Sequence, residues 1–430
     1  MAKGSFGFPI ARDRPVALGE VHARPNPLVQ SPAVIVQLAF MTDGGSTVDN
    51  AVLAELSRAR GVAAPQRDAR HYAMSWGNGS LRWERHTEFS TYLYNGPAPE
   101  NFGGQITDHP FGEGFNPPGN LISGVRLEVR KWTELAEQSV DCFDPTSLCY
   151  SELDQGAALA ITDFRQDKDG LTRILVLERG LSPARTGAIV QRLIEIETYR
   201  TLALLALPLA QSLSPQMRKI EDELTVITQR MRQEAKSESD RMLGEITALA
   251  AELEAGAAAS LYRFGASRAY HEIVEERVAS LREKPVAGHG SWGAFLQRRL
   301  APAMRTCRSI EERQANLSRK LARATALLRS WVDLELQRQN SELLTSMDHR
   351  ARLQLRLQQT VEGLSVAAVS YYVVGLVGYL AKAAKEAGLP VDPVIVTGIS
   401  VPVVVVAIWQ IVRRIRKRHS DAGPASATSG

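Results

Sequence analysis

The sequence predicts an α+β protein: an α/β sandwich with a mostly antiparallel sheet, followed by long coiled-coil-like helices and a C-terminal two-helix transmembrane hairpin. Three observations predict this class. Up to residue 181, short apolar or alternating runs are separated by turn-rich segments. From residue 182 onward, apolar residues recur at spacings of three and four, and two long uncharged runs follow. The predicted units are a cytosolic α/β domain (1–181), a helical region (182–302), a stalk helix (303–362), the transmembrane hairpin (363–412) and a basic, disordered cytosolic tail (413–430).

Length, charge and cysteine content limit the classes of protein that fit. At 430 residues the chain exceeds one ordinary domain, since domains have about 100 to 200 residues. The net charge of +4 is small and lies largely after residue 412, so we expect no nucleic acid partner. Three cysteines (Cys142, Cys149 and Cys307) cannot all pair within one chain, which favours a reducing compartment. The N-terminus lacks the apolar run of a signal peptide, so we expect the body to stay in the cytosol.

The sequence of the N-terminal domain predicts several strands and one helix near its start. An apolar run at 32–40 predicts a buried strand, and Ser46 begins a capped amphipathic helix. Further strands are expected in three later apolar runs, and the turn-rich stretch 165–170 joins the last two of them. Those three runs are Leu121 to Val129, Ala157 to Phe164 and Leu171 to Leu177.

A β-hairpin is predicted in the stretch HYAMSWGNGSLRWERHTEFSTYLY, His71 to Tyr94. If Asn78 and Gly79 form a two-residue turn, His71 faces His86 across the strands, and Glu88 follows on the same face. Two imidazoles and a carboxylate in one place could hold a transition metal or pass protons. The opposite face would then be apolar and would contain Tyr72, Met74, Trp76, Leu81 and Trp83.

The polar face of this hairpin has a second interpretation. Arg82 and Arg85 are close enough to pair with the glutamates, and a solvated polar face is typical of a half-exposed antiparallel strand. A different turn would also move His71 away from His86. Both interpretations stay open from the sequence alone.

No common enzyme signature occurs elsewhere in the chain. The stretch LGEVHARP places Glu20, His22 and Arg24 on alternate residues, but this pattern matches no motif with a known mechanism. The chain contains no Walker loop, GxSxG elbow, HExxH or CxxC pair. The sequence therefore favours a protein that is not an enzyme, and it names no cofactor.

The sequence of the middle of the chain predicts long helices. Ser182 as cap and Pro183 at the first helical position begin one helix. A packing seam follows between Pro215 and about Gly256, and a second helix is expected at Ser267 to Glu283 before the breaker at 284–293. The seam residues are Ile220, Leu224, Ile227, Met231, Met242, Ile246, Leu249 and Leu253.

A third helical run is expected after Pro302, because no proline follows before Pro390. If it is continuous over 303–362, it would extend about 90 Å as a stalk. The apolar spacing of this run also permits a homo-oligomer through the stalk and transmembrane helices.

Two uncharged runs, at 363–381 and 393–412, are long enough to cross a bilayer. Arg350, Arg352 and Arg356 precede the first run and RRIRKRH follows the second, so the positive-inside rule places both flanks in the cytoplasm. Neither span holds an ionisable carboxylate, lysine or arginine, which argues against an ordinary secondary transporter. The residues expected to shape helix packing or a pore are Ser370, Gly375, Gly378 and Pro402.

Three stretches carry a resemblance to a family: EVHARP at 20–25, RWERHTEFSTY at 82–92 and TVEGLSVAAVSYYVVGLVGYL at 360–380. They resemble a bacterial family, the one numbered 3422 among domains of unknown function, and the resemblance covers the whole chain. It implies a membrane-anchored protein and brings no reaction, cofactor or catalytic residue.

A looser similarity to another family concerns only the order of the domains along the chain. An α/β cytosolic domain, long helices and two C-terminal spans with a basic tail look like a CorA-type magnesium channel. That layout would imply a pentamer with its first span lining a pore. The Gly-Met-Asn signature of that family is replaced here by GLVGYLAKAAKEAG at 375–388, so the magnesium filter does not carry over.

Three functional hypotheses follow from the sequence. The leading one is an inner-membrane protein with the lipid bilayer as its partner, whose cytosolic domain acts as a sensor, scaffold or gate. The second is an oligomeric CorA-like ion channel, and the third is a metal-dependent enzyme that uses His71, His86 and Glu88.

Overall fold

The computed structural model describes residues 11–14, 18, 27–42, 46–233, 238–387, 390 and 392–420. Within them, nine strands form one sheet with the order β2-β3-β4-β1-β5-β8-β7-β6-β9. Neighbouring strands are antiparallel except for the parallel pair β5 and β8, which confirms the mostly antiparallel sheet. The strands are β1 Ala33–Met41, β2 His71–Trp76, β3 Gly79–Arg85, β4 Phe89–Pro97, β5 Leu121–Lys131, β6 Cys149–Leu153, β7 Ala158–Gln166, β8 Thr172–Glu178 and β9 Lys284–Pro285.

In the described residues, two helices lie among the first eight strands and five follow β8, which confirms the predicted α+β class. Two short 3₁₀ segments, Gln138–Cys142 and Asp154–Gly156, lie among the strands. The helices are α1 Ser46–Ala59, α2 Glu134–Glu137, α3 Pro183–Leu204, α4 Ala206–Gln233, α5 Ser239–Leu281, α6 Trp292–Glu386 and α7 Pro393–Ser420.

Strand β1 is apolar along almost its whole length because both faces of the sheet are covered. Val34 and Val36 pack with Leu53 of α1, whereas Ile35 packs with the α3 side. A strand that is buried on both faces reads as a continuous apolar run rather than as an alternation. The three later strands predicted from apolar runs are confirmed by β5, β7 and β8.

Helix α3 begins where the sequence places it. The Ser182 hydroxyl accepts a hydrogen bond from the Arg185 N–H at 3.4 Å, and Pro183 occupies the first turn, where its missing N–H costs nothing. The buried side of the helix packs on the sheet through Ile189, Val190, Leu193, Ile194 and Ile196.

The predicted packing seam is confirmed, but it is divided between two helices. The four apolar residues from Ile220 to Met231 lie on α4 and the four from Met242 to Leu253 lie on α5, and all eight are buried. The Gln216 amide of α4 donates to Glu252 of α5 at 3.0 Å, so the two halves belong to neighbouring helices. The step of 22 positions from Ile220 to Met242 therefore includes a reversal of the chain between α4 and α5.

Two predicted helix boundaries are wrong. Helix α5 is continuous from Ser239 to Leu281, so it includes most of the separate helix expected at 267–283. Helix α6 begins at Trp292, and Pro302 lies inside it rather than before it. The Glu283 carboxylate accepts hydrogen bonds from the first N–H groups of α6, on Trp292 at 2.9 Å and Gly293 at 2.6 Å, so a residue outside the helix caps it.

The chain forms two compact units, residues 1–327 and 328–430. The second unit contains the later part of α6, together with α7. Helix α7 continues to Ser420, into the tail that was expected to be disordered, and 421–430 lie outside the described residues. Within the described chain, two helices are long and apolar enough to cross a membrane: α6, and α7 over Pro393–Arg414.

Candidate functional site

The hairpin of β2 and β3 has a different register from the predicted one. Gly77 and Asn78 form its turn, so His71 pairs with Glu84 and not with His86. The predicted register is wrong by two residues. A shift of two preserves the alternation of side chains, so the predicted apolar face is confirmed. Its members Met74, Trp76, Leu81 and Trp83 are buried, and Tyr72 packs against them.

Two glycines explain this register. Gly77 has a φ of +55°, which suits the turn. Gly79 lies in the strand beside β4, where an added Cβ would be 2.4 Å from the carbonyl oxygen of Asn95. The Gly-Asn-Gly sequence permits a turn at either dipeptide, and the close approach of β4 requires the second glycine inside the sheet.

His86 lies in the short connection between β3 and β4. Its backbone N–H donates to the Phe89 carbonyl oxygen at 2.8 Å, which closes the turn. The two rings stack with a centroid distance of 4.2 Å and an interplanar angle of 9°. The imidazole is therefore positioned by Phe89, a side chain of the core.

The Glu88 carboxylate is buried and bound by helix α5. Arg263 donates to both of its oxygens, with distances of 2.6 Å from Nη2 and 3.2 Å from Nη1. The Tyr270 hydroxyl donates to Oε1 at 2.6 Å. Burial, and next this hydrogen bond, raise the pKa of Tyr270 above its ordinary value. Glu88 thus joins the β3–β4 turn to α5.

The geometry that motivated a metal site is absent from the described residues. No group of three or more His, Cys, Asp or Glu side chains in that part of the chain is placed to hold a metal ion. His71 is not opposite His86, and Glu88 is engaged by an arginine. Glu20, His22 and Arg24 lie outside the described residues.

A cleft of about 390 Å³ lies where the hairpin meets the helices. The β-hairpin and its connection supply one wall, and α3 and α5 supply the other. Arg85 is joined to Arg70 through the backbone, since the Arg85 N–H donates to the Arg70 carbonyl at 2.9 Å. We call this site the hairpin cleft, and its lining residues are Arg70, Arg85, His86, Thr87, Phe89, Tyr199, Tyr270 and Ile273.

The hairpin cleft is cationic. Two guanidinium groups line it and no carboxylate does. The carboxylate next in sequence, Glu88, is neutralised by Arg263. Arg85 forms no ion pair within the described part of the chain, and its side chain is only partly buried.

Aromatic rings hold the cleft wall in place. Tyr199 of α3 and Tyr270 of α5 stack at 5.6 Å with an interplanar angle of 26°. Phe89 meets both of them edge-on, at 6.2 Å and 6.3 Å. Such edge and offset contacts stabilise the packing beyond the area that they bury. The cleft is consequently built on rigid elements and not on a loop alone.

A second cavity, of about 350 Å³, also contains arginines. Arg165 pairs with Asp144 at 2.5 Å, and Arg200 pairs with Glu197 at 2.5 Å. Arg299 and Asp163 line it as well, so charge balance does not favour one cavity over the other as a ligand site.

The four residues predicted for helix packing or a pore lie in the second unit. A Cβ on Gly378 would be 3.2 Å from Thr397 Oγ1, so Gly378 lies close to α7, whereas Gly375 has no atom within 4 Å of that position. The Ser370 hydroxyl donates to the Val366 carbonyl of its own helix at 2.6 Å. Pro402 lies inside α7.

The sequence predicts only part of the cleft. Its chemistry marks His86 as a candidate, whereas Arg85 is expected to pair with the glutamates. Tyr199 and Tyr270 are more than 100 positions away along the chain and carried no local signal. A charge count around the turn would have suggested the arginines, but only the packing of α3 and α5 brings the tyrosines to them.

The chain belongs to a family of proteins of unknown function, DUF3422, whose model matches residues 10–419. This confirms the family resemblance carried by the three quoted stretches. No curated protein matches the chain. The family match does not support the looser likeness to CorA-type magnesium channels.

Proposed function

We propose that the protein is anchored in a lipid bilayer by two transmembrane helices, 363–381 and 393–412, and that its N-terminal domain works beside the membrane. The observation that carries this proposal is the exposure of these helices. Large apolar side chains along both are uncovered, Leu376 being 63% and Val394 79% exposed. Apolar surface in water costs about 25 cal/mol per Å². A bilayer would remove that cost.

A soluble core helix is the main alternative for each apolar segment. Such a helix also passes a test of length and composition, but its apolar residues are buried by the protein. In the most apolar stretch of 18 residues of each helix, the protein buries 11% of the stretch in α6 and 0% of the stretch in α7. This exposure supports the membrane-spanning interpretation over the soluble one.

Contacts within the second unit agree with a bilayer environment. The hydroxyls of Thr397 and Ser400 donate to the carbonyls of Pro393 and Thr397 in their own helix, both at 2.7 Å. Polar groups in lipid need such internal partners. Since these hydroxyls are engaged within their own helix, they give no support to a pore lined by them.

The spanning proposal can be tested with two matched arginine substitutions. Leu376→Arg lies in the first proposed span, where an arginine disfavours insertion by about 2.5 to 3.5 kcal/mol. Leu343→Arg lies on the same helix at 62% exposure, against 63% for Leu376, but outside the span. We expect carbonate-resistant membrane retention to fall for Leu376→Arg, to persist for Leu343→Arg, and to be lost in a chain that ends at Glu362. Full retention of the truncated chain would contradict the proposal.

We further propose that both termini face the cytoplasm of a bacterial cell, across its inner membrane. The support is the cluster of five Lys or Arg residues over 413–418 and the balanced charge of the connector 382–392. A phosphatase reporter active only in the periplasm should be inactive when fused after Gly430 and active when inserted at Gly388. The opposite pattern would show the inverted orientation.

For the N-terminal domain we propose a sensing role rather than catalysis or scaffolding alone. A preformed cleft on the sheet domain supports this role. An enzyme is not favoured by a metal-binding group within the described residues or by a common catalytic motif in the sequence. The metal-dependent enzyme hypothesis has lost its geometric basis, because His71 and His86 are not cross-strand neighbours.

The part of α6 before the first span supports self-association. Over 334–361 its apolar side chains are exposed, including Leu336, Leu343 and Met347. The charges on its other side pair with one another, as in Arg338 with Glu342 at 3.0 Å and Asp348 with Arg352 at 2.8 Å. We propose that this apolar side packs against the same helix of a second copy, as in a coiled coil.

A further inference from the structure

We infer that residues 336–364 of α6 form a parallel, two-stranded coiled coil with the same segment of a second copy, and that one arginine layer keeps this pair weak. This pairing rests on the proposed anchoring and self-association, to which it adds the number of strands, their direction, their register and their weakest layer. The whole segment belongs to the second compact unit, residues 328–430, and is helical throughout.

A heptad repeat runs through the segment at the spacing that a coiled coil requires. Leucine or arginine recurs at every seventh residue, and a second set of residues follows each of the first four by four positions. In the heptad notation abcdefg these sets are the d and a positions, which face the partner helix. The d residues are Leu336, Leu343, Arg350, Leu357 and Leu364, and the a residues are Asn340, Met347, Gln354 and Val361.

The seam of a and d residues is uncovered within the described chain. All nine side chains are exposed, and the apolar ones are between 52% and 75% exposed. An earlier apolar stripe on the same helix, which includes Leu317 and Leu321, is buried by the protein. Helix α6 therefore buries one stripe within its own chain and leaves the next one available to another molecule.

Charge avoids this seam, with one exception. Seven Asp, Glu, Lys or Arg residues occur between 336 and 364, and six of them occupy the outer positions b, c and f. Four of the six neutralise one another there, Arg338 with Glu342 and Asp348 with Arg352. The e and g positions beside the seam hold no Asp, Glu, Lys or Arg. Because e and g charges set partner choice in coiled coils, this pattern creates no repulsion between identical chains at those positions.

The partner that fits this seam is a second copy in the same orientation. The segment ends at the beginning of the first proposed span, so the anchor fixes its height above the bilayer. Residues 336 to 364 extend about 42 Å along a helix. Another copy anchored in the same bilayer presents an identical seam at the same height and in the same direction. The anchor therefore favours parallel pairing in register.

The seam residues favour two strands. Leucine at d with a β-branched residue at a, as at Val361, is typical of parallel dimers. Asn340 occupies an a position, where a single buried asparagine specifies both register and oligomer state. Its amide finds a matching polar partner in a dimer only when the two asparagines lie in the same layer. These features favour a dimer over a pentamer.

Arg350 is the exception to the charge pattern, and it places two positive charges in one layer of the dimer. At a d position each guanidinium approaches its counterpart on the other helix. The adjacent seam residues Met347 and Gln354 and the flanking Ala351 supply no carboxylate to compensate them. Like charges repel, and partial burial of an unpaired charge adds to the cost. This layer therefore lowers the affinity of the dimer and makes it sensitive to ionic strength.

Cysteine crosslinking in membranes tests direction and register. In a Cys142→Ser background, Leu336→Cys and Leu357→Cys should each form a disulfide-linked dimer, because identical d residues face each other in a parallel pair. An antiparallel pair brings at most one of these positions to its own counterpart, since they are 21 residues apart. Gln359→Cys, at an outer f position, is the control and should not crosslink. Crosslinking at only one seam position, at neither, or equally at the control would overturn the inference.

Sedimentation equilibrium of the full chain in a maltoside detergent tests the strand number and the arginine layer. We expect a monomer–dimer equilibrium that Arg350→Leu tightens at least tenfold. Added salt should tighten the wild-type dimer more than the Arg350→Leu dimer, because it screens the repulsion. Arg356→Leu makes the same change at an outer c position and should alter the affinity less than twofold. A trimer or larger assembly, or an Arg350→Leu dimer that is no tighter than the wild type, would overturn the inference.

Failure of the coiled coil is distinguishable from failure of the anchor. Carbonate-resistant retention reports on the anchor, and crosslinking at Leu336→Cys and Leu357→Cys reports on the coil. Retention without crosslinking would overturn the coiled coil and leave the anchor standing. Crosslinking at both positions in a chain that carbonate extracts would support the coiled coil and overturn the anchor.

Discussion

At the scale of single residues, burial decides which chemically reactive groups can act. Glu88 and His86 are two positions apart in sequence, but one is buried and paired with Arg263 while the other faces the hairpin cleft. The three cysteines differ in the same way, since Cys142 is exposed whereas Cys149 and Cys307 are buried. Residue type alone does not distinguish these cases.

The cysteines give a residue-scale prediction. Burial raises the pKa of the Cys149 thiol to about 12, and it also raises the pKa of Cys307. Because the thiolate is the nucleophile, both thiols should stay unreactive in the native protein near pH 8. Mass spectrometry after iodoacetamide treatment should show Cys142 modified first, and all three modified after unfolding in guanidinium. Rapid native labelling of Cys149 would contradict this burial.

At the scale of elements, backbone contacts between distant segments determine where helices begin and pack. The segment before β1 approaches the start of α3, where the Val29 N–H donates to the Pro183 carbonyl at 3.1 Å. Glu283 caps α6 from outside that helix. Neither contact has a signal in the local sequence, and the Glu283 cap explains the shifted boundary of α6.

Gly187 of α3 provides an element-scale prediction. An added Cβ there would lie 1.6 Å from the Pro27 carbonyl oxygen, which is a backbone atom. Gly187→Ala should therefore destabilise the protein by about 1 to 3 kcal/mol, as expected for overpacking. Gly244→Ala is the matched control, because its Cβ would meet nothing within 4 Å inside α5. It should stabilise by about 1 kcal/mol through helix propensity. Thermal unfolding midpoints would compare the two, and a stabilising Gly187→Ala would show that this contact is not formed.

The stability of the packing between α4 and α6 should depend on pH, because an ion pair joins these two helices. The Arg313 guanidinium of α6 that hydrogen-bonds Glu221 of α4 holds the pKa of that carboxyl below its ordinary value of 4.5. A lowered folded pKa gives stability that is complete above pH 4.5 and is lost as the pH falls through the folded value. Glu221→Gln should lower the unfolding midpoint near pH 7 and have a smaller effect near pH 3.5. An equal loss at both pH values would exclude this linkage.

At the scale of the whole molecule, exposed apolar surface is the dominant feature of the second unit. Its two long helices combine uncovered apolar residues with paired or terminal charges. Soluble monomers rarely expose such continuous surface. Lipid over the two spans and a second copy over 334–361 would together account for it.

Self-association gives a prediction at this scale. Met347 lies on the apolar side of α6, whereas Thr345, two positions away, points to another side because residues i and i+2 do not face each other on a helix. In a Cys142→Ser background, oxidation should produce a disulfide-linked dimer for Met347→Cys and not for Thr345→Cys. Equal crosslinking of both, or of neither, would contradict pairing through the apolar side.

Much of the fold could be predicted from the sequence because its signals are local. Strands β1, β5, β7 and β8 follow from apolar runs, and the Ser182 cap with Pro183 marks the start of α3. The apolar face of the hairpin follows from alternation and survives a shift of two residues. Local patterns failed where a distant contact competed, as at Gly79, where β4 requires a glycine in the strand.

By itself, the sequence determined the class of fold, the seam residues of α4 and α5, the family and the two apolar helices. These properties depend on composition and periodicity, which need no knowledge of distant neighbours. Only the tertiary structure decided the hairpin register, the division of the seam between two helices and the stacking of His86 on Phe89. Each of these depends on groups far apart in the chain, because α3 and α5 must pack on the sheet before their tyrosines meet Arg85 and His86 in one cleft.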